Sequence, residues 1–130
     1  MRARPLSPHM SIYRMTRYSL LSSFANRVTG MVLSGGLLVL IYWLTSLARG
    51  GHAYARAQEI LGSAVARLVY VAFIAAFSYH LLAGIRHLVW DTGRGLEKAQ
   101  SQRSAWLVIV ASVVVALVVG WWAFRVREGV

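Results

Sequence analysis

The sequence predicts an all-α integral membrane protein with three transmembrane helices and a cytoplasmic N-terminus. Three observations carry this. The chain is 58% hydrophobic over 130 residues, above the usual range for a soluble domain of that size. Three runs are free of charge: Val28 to Ala48, Leu68 to Ile85 and Ser104 to Phe124, with 21, 18 and 21 residues. About 20 apolar residues cross a hydrocarbon core of roughly 30 Å as a helix. Finally, the basic residues flank these runs instead of forming one dense patch. The net charge of +10 therefore fits a membrane protein better than a nucleic-acid binder.

Residues 1–19 form a basic segment with Arg2, Arg4, Arg14 and Arg17. No apolar stretch of signal-peptide type follows the basic start, so no cleaved secretory signal is expected. Pro5 and Pro8 favour extended backbone. Leu6, Met10, Ile12 and Tyr13 suit a partner or the membrane surface, and a disordered tail fits the composition equally well.

The first helix is expected over about 20–48. Ser23, Arg27, Gly30 and Ser34 recur at spacings of four, three and four, a polar and small face near its start. Gly35 and Gly36 permit a close helix contact. Gly50-Gly51 ends this helix, and Arg49 to Gly62 reads as a loop carrying His52, Arg56 and Glu59, with no role assigned to His52. The second helix is expected over about 63–90, followed by a loop from Asp91 to Arg103 broken by Gly93 and Gly95. The third is expected over about 104–125. Trp106 and Trp121 lie roughly 23 Å apart at the helical rise, the separation of two interfacial aromatic belts. Ser112, Ala116 and Gly120 give this helix a small packing face without ionisable groups.

Three spans put the chain ends on opposite sides. One side collects Arg2, Arg4, Arg14, Arg17, Arg27, Arg86, Arg94, Lys98 and Arg103; the other has Arg49, Arg56, Arg67, Arg125 and Arg127. Nine basic residues against five assign the N-terminus and the second loop to the cytoplasm. The start of the first helix and the end of the second then share one membrane face.

The chemistry concentrates there. His80, Gly84, His87 and Asp91 recur at four, three and four, and the same helical face continues backwards through Ala76 and Ala72. A histidine inside an apolar span is costly and takes a partner. Neutral imidazole also ligates haem iron well. The residues leave two readings of His80 open: an iron ligand in a cofactor pocket, or a helix-contact histidine without cofactor. His87, seven residues on, is about 10.5 Å further along the face and cannot serve the same side of the same iron. It suits a haem propionate or a headgroup at the interface. Arg27 suits the same anions, or lipid phosphate; Arg86, off the stripe, is expected to snorkel to lipid. Ser23 and Arg27, one turn apart, can hydrogen-bond a quinone carbonyl, although a serine at a helix start also serves as a cap. Asp91 near a helix C-terminus is suited to pairing with an arginine or relaying a proton. There is no cysteine, which excludes protein-held iron–sulfur clusters, disulfides and thioether-attached haem within this chain. With only four acidic residues and no nucleotide-binding glycine motif, no soluble-enzyme constellation appears.

Three blocks bring a family into view: Arg4-Pro5-Leu6-Ser7-Pro8-His9 followed by Ile12-Tyr13; Ser23-Phe24-Ala25-Asn26-Arg27-Val28-Thr29-Gly30; and His80-Leu81-Leu82-Ala83-Gly84-Ile85-Arg86-His87 ending in Asp91. Over nearly its whole length the chain resembles the cytochrome b-type large membrane-anchor subunit of succinate dehydrogenase, respiratory complex II. The resemblance implies one membrane-anchor domain over residues 1–130, paired with a second three-helix anchor subunit. The two would share one haem b and dock the flavoprotein and iron–sulfur subunits of a tricarboxylic acid cycle enzyme. Succinate is oxidised in the flavoprotein, so no substrate-oxidising site is expected in this chain. Electrons pass through the clusters to ubiquinone. The resemblance implies His80 as an axial haem ligand, with the other from the partner anchor, and Ser23 and Arg27 at the quinone site. It implies His87 near the haem propionates or the quinone. Asn26 departs from members with histidine before the arginine, so no haem contact is carried over to it. A bacterial cytoplasmic membrane is expected ahead of a mitochondrial inner membrane. The alternatives are a fumarate reductase anchor using menaquinol and a non-redox small membrane protein. Single-chain anchors with two haems need more helices and histidines than this chain has.

Overall fold

The computed structural model describes residues 17–128, so the readings made for the segment before residue 17 lie outside the described residues. Four helices follow one another: α1 (Arg17–Ala48), α2 (Gly51–Leu61), α3 (Ala64–Asp91) and α4 (Lys98–Glu128). Three of them, α1, α3 and α4, are long and apolar enough to cross a membrane, with mean hydropathies of 1.9, 1.9 and 2.6 over their spans.

In hydrocarbon every polar group must find an internal partner. Several hydroxyls of α1 do so on their own helix: Ser34 donates to Gly30 O at 3.0 Å and Ser46 to Tyr42 O at 2.7 Å. The helix stops at Gly50, whose φ of 96° and ψ of 179° lie where only glycine is comfortable. The chain then turns straight into α2.

That helix corrects the expected loop between Arg49 and Gly62. Ala, Arg, Gln, Glu and Leu are good helix formers, and they outweigh the polar side chains that suggested a loop. Ala57 is fully buried, while His52, Arg56 and Glu59 share the outer face. Tyr70 of α3 donates to Leu61 O at 3.0 Å, and the rings of Trp43 and Tyr54 lie 6.5 Å apart, tying α2 to both neighbours. Ser63 caps α3 by accepting from Ala66 N at 3.2 Å.

The second loop is shorter than expected. α3 ends at Asp91 and α4 begins at Lys98, ahead of the expected 104, because Lys98 to Arg103 contains residues that propagate a helix well. The turn is closed by Trp90, whose Nε1 donates to Gly95 O at 3.1 Å. Gly95 takes a φ of 75°, with the indole Cδ1 3.5 Å from where a Cβ would stand.

α3 is the central helix, packed against α1 on one side and α4 on the other, with a thinner contact between α1 and α4. The side chains at these contacts are small. Ala76, Ser78, Ala83, Ala105, Val108 and Ser112 are buried, and Ser78 is 1% exposed. Helices in lipid gain no hydrophobic drive from meeting each other, so close backbone approach through small residues supplies the contact instead. Gly36 shows this directly: a Cβ there would meet the Phe73 ring at 3.2 Å, whereas Gly35 faces open space. The large apolar side chains point outward, among them Leu38, Leu68, Leu88 and Leu107.

Candidate functional site

α1 and α3 run antiparallel, and their contacts set the register of the site. Tyr79 donates to Ser22 O at 3.2 Å. One residue on, His80 turns its ring against α1. Its Nδ1 lies 3.2 Å from Asn26 O and 3.2 Å from Thr29 Oγ1. A backbone carbonyl can only accept, so Nδ1 carries the proton and donates. A neutral imidazole in that tautomer leaves the Nε2 lone pair free. No described residue hydrogen-bonds Nε2. Gly30 gives the ring its room: a Cβ there would stand 3.2 Å from His80 Cε1. The Asn26 side chain adds a buried Oδ1 without a hydrogen-bond partner among the described residues.

The two serine and arginine candidates of α1 lie beside this contact, on a different face. Ser23 and Arg27 are exposed, one turn apart, while Asn26 and Thr29 on either side of Arg27 meet His80. The expected single face of Ser23, Arg27, Gly30 and Ser34 therefore divides, with Gly30 at the histidine and the others on the outer surface.

On α3 the histidine stripe divides in the same way. His80 is half-buried against α1, whereas His87 is exposed and sets its ring edge-on to Trp90 at 5.1 Å. Ala76 is buried and Ala72 exposed. Asp91 is exposed and makes no ion pair among the described residues, so of its possible roles the pairing with arginine is not seen there.

Arg86 departs from the snorkelling expectation. Its Nε donates to Ser104 Oγ at 2.9 Å and its Nη2 to Ser101 O at 2.8 Å, with the guanidinium 4.0 Å from the Trp90 ring centre. The planar fork binds the start of α4 while the ring covers its face. Arg86→Met removes these hydrogen bonds and is expected to destabilise the α3–α4 hairpin by about 2 kcal/mol. Arg86→Lys should recover only part, since an ammonium lacks the fork. Thermal unfolding of the purified protein in detergent checks this; an unchanged midpoint in the methionine variant would remove the clamp.

Three of these features were not singled out from sequence: Thr29, the Asn26 carbonyl and the serines that hold Arg86. The only sequence signal for Thr29 is its place beside Gly30 in the second block.

Fold and site together define a multi-pass, all-helical membrane protein with a histidine held inside the apolar bundle. Residues 1–119 match the family model described as succinate dehydrogenase/fumarate reductase transmembrane subunit. The chain is 37% identical over 114 residues to the succinate dehydrogenase cytochrome b556 subunit of Paracoccus denitrificans, covering 88% of this chain and 87% of that one. It is 34% identical to the corresponding subunit of Rickettsia typhi, at 88% of each chain. It is 36% identical to the mitochondrial cytochrome b560 subunit of Bos taurus, at 85% of this chain and 66% of the other. The chain belongs to the succinate dehydrogenase/fumarate reductase transmembrane subunit family.

Proposed function

We propose that this chain is the haem-bearing, quinone-facing membrane anchor of a succinate:quinone oxidoreductase. The observation that carries the reading is the His80 contact, with Nδ1–H committed to α1 and Nε2 left as a base. That donor set fits a haem iron. His80 would hold it through Nε2, and a second anchor subunit would supply a further iron ligand. When bound, haem b supplies a one-electron carrier within the membrane.

The rest of the site serves the quinone. Arg27 is permanently charged and offers paired donors to a carbonyl oxygen. Such a donor binds that oxygen more tightly as it gains electron density on reduction. Ser23, one turn nearer the membrane surface, is the second donor. His87, exposed at the same end of the bundle, suits a propionate or the quinone headgroup.

The end of the bundle with Ser23 and His87 faces the cytoplasm, as does the N-terminus, by the excess of basic residues on that side. The flavoprotein and iron–sulfur subunits dock there, near Arg94, Lys98 and Arg103. The exposed apolar faces of the spans are available to the second anchor and to lipid. The relatives named above are succinate dehydrogenase subunits, which supports succinate oxidation over fumarate reduction.

The test is a reduced-minus-oxidised optical spectrum of the complex purified through this chain, with its co-purifying subunits identified. A b-type signal with flavoprotein and iron–sulfur partners is expected. A preparation with neither would overturn the reading and favour a non-redox membrane protein. Activity with ubiquinone against menaquinol analogues then gives the direction.

A further inference from the structure

We infer that Thr29 is a positioning residue for His80, its hydroxyl sharing the Nδ1–H with the Asn26 carbonyl and so holding the imidazole in the orientation that frees Nε2 for iron. This deepens the haem reading above and rests on it. Thr29 Oγ1 lies 2.8 Å from Ala25 O and 3.0 Å from Asn26 O. Its single proton goes to one of these carbonyls, and the shorter contact favours Ala25 O. The lone pairs of Oγ1 then point to His80 Nδ1 at 3.2 Å. The other oxygen at Nδ1, Asn26 O, is itself an acceptor within the turn of α1. Thr29 is thus the only side chain among the described residues that hydrogen-bonds the His80 ring.

Gly30 completes the cradle. A hydroxyl stands at Nδ1, and bare backbone stands where a Cβ would come within 3.2 Å of Cε1. The ring is fixed by two acceptors at Nδ1, the Asn26 carbonyl and the Thr29 hydroxyl, and by one steric limit at Gly30. A ligating histidine that donates its second N–H is a better electron donor and is held in one orientation. Loss of such an outer partner typically weakens metal binding about 10–100-fold. Stronger donation also favours ferric over ferrous iron, so losing the hydroxyl should raise the haem potential.

The test compares three variants in the complete complex. Thr29→Val keeps the shape and removes the hydroxyl, Thr29→Ala removes it with less bulk, and Thr29→Ser keeps it. Two quantities are measured: the haem midpoint potential by redox titration, and the rate of haem loss to an apoglobin scavenger. The valine or alanine variant should show an upward potential shift and haem loss on the order of 10-fold faster, with serine at the wild-type values. A purely structural role would lower the yield of complex without moving the potential of what assembles. Wild-type potential and loss rate in either hydroxyl-free variant would overturn the inference while leaving the haem reading intact. A wild-type complex without haem would overturn both, and this is seen before any variant is made.

Discussion

A complex carrying His80→Ala should assemble with its three spans inserted but keep far less haem than the wild type, and any haem that stays should have an altered spectrum. The two halves of this expectation have different physical origins. To the fold, His80 contributes hydrogen bonds of 3.2 Å from one ring nitrogen, a net stabilisation of about 1 kcal/mol. The Asn26 carbonyl it leaves is still an acceptor within its own helix, and Thr29 still donates within α1. The α1–α3 contact at Gly36 and Phe73 and the Tyr79–Ser22 hydrogen bond are untouched. To a bound haem, by contrast, the same side chain would be an iron ligand. Haem content per flavin and the optical spectrum measure the two halves separately. Wild-type haem content with a wild-type spectrum would remove His80 as a ligand.

Arg27→Ala should lower quinone reduction by roughly 10–100-fold while succinate oxidation with a soluble electron acceptor is unchanged. The magnitude is that of one lost charge-assisted hydrogen bond, about 1.5–3 kcal/mol, at 1.4 kcal/mol per tenfold. The selectivity follows from the geometry. Arg27 is exposed and makes no hydrogen bond or ion pair among the described residues, so its removal takes nothing from the bundle. Ser23→Ala should act in the same direction by only a few-fold, the value of one neutral hydrogen bond. Parallel assays of one preparation with quinone and with dye decide the matter. Equal loss of both activities would indicate a docking or assembly role for Arg27 instead.

Much of this protein is legible one helix at a time. The spans follow from charge-free runs, and His80 stands out because a histidine is rare in such a run. α2 is the exception: the segment reads as a loop, although His52, Arg56 and Glu59 fall on one helical face with Ala57 opposite. The paired glycines and the polar side chains suggested a loop, and the helix formers between them outweigh that signal. What sequence withheld is whatever depends on two helices meeting. Arg86 finds Ser101 and Ser104 across a turn, and nothing in its own span announces them. Thr29 looks like any mid-helix threonine bonded to its own backbone until His80 arrives from α3. The stripe of Ser23, Arg27, Gly30 and Ser34 is one face on a helical wheel. Which part of it meets a neighbour depends on the crossing of α1 and α3, and periodicity carries no information about that.

The small buried residues of α3 also bear on how this sequence can drift. Ala76, Ser78 and Ala83 sit where helix backbones approach, and a larger side chain at any of them would wedge the helices apart. Where the outward faces meet lipid, exposed leucines such as Leu68, Leu81 and Leu88 exchange with isoleucine, valine or phenylalanine at little cost, since any apolar side chain satisfies lipid. The pattern of tolerance is therefore the reverse of that in a water-soluble protein. The bulky positions that meet lipid are free to vary, and the buried alanines and serines are the ones that cannot grow.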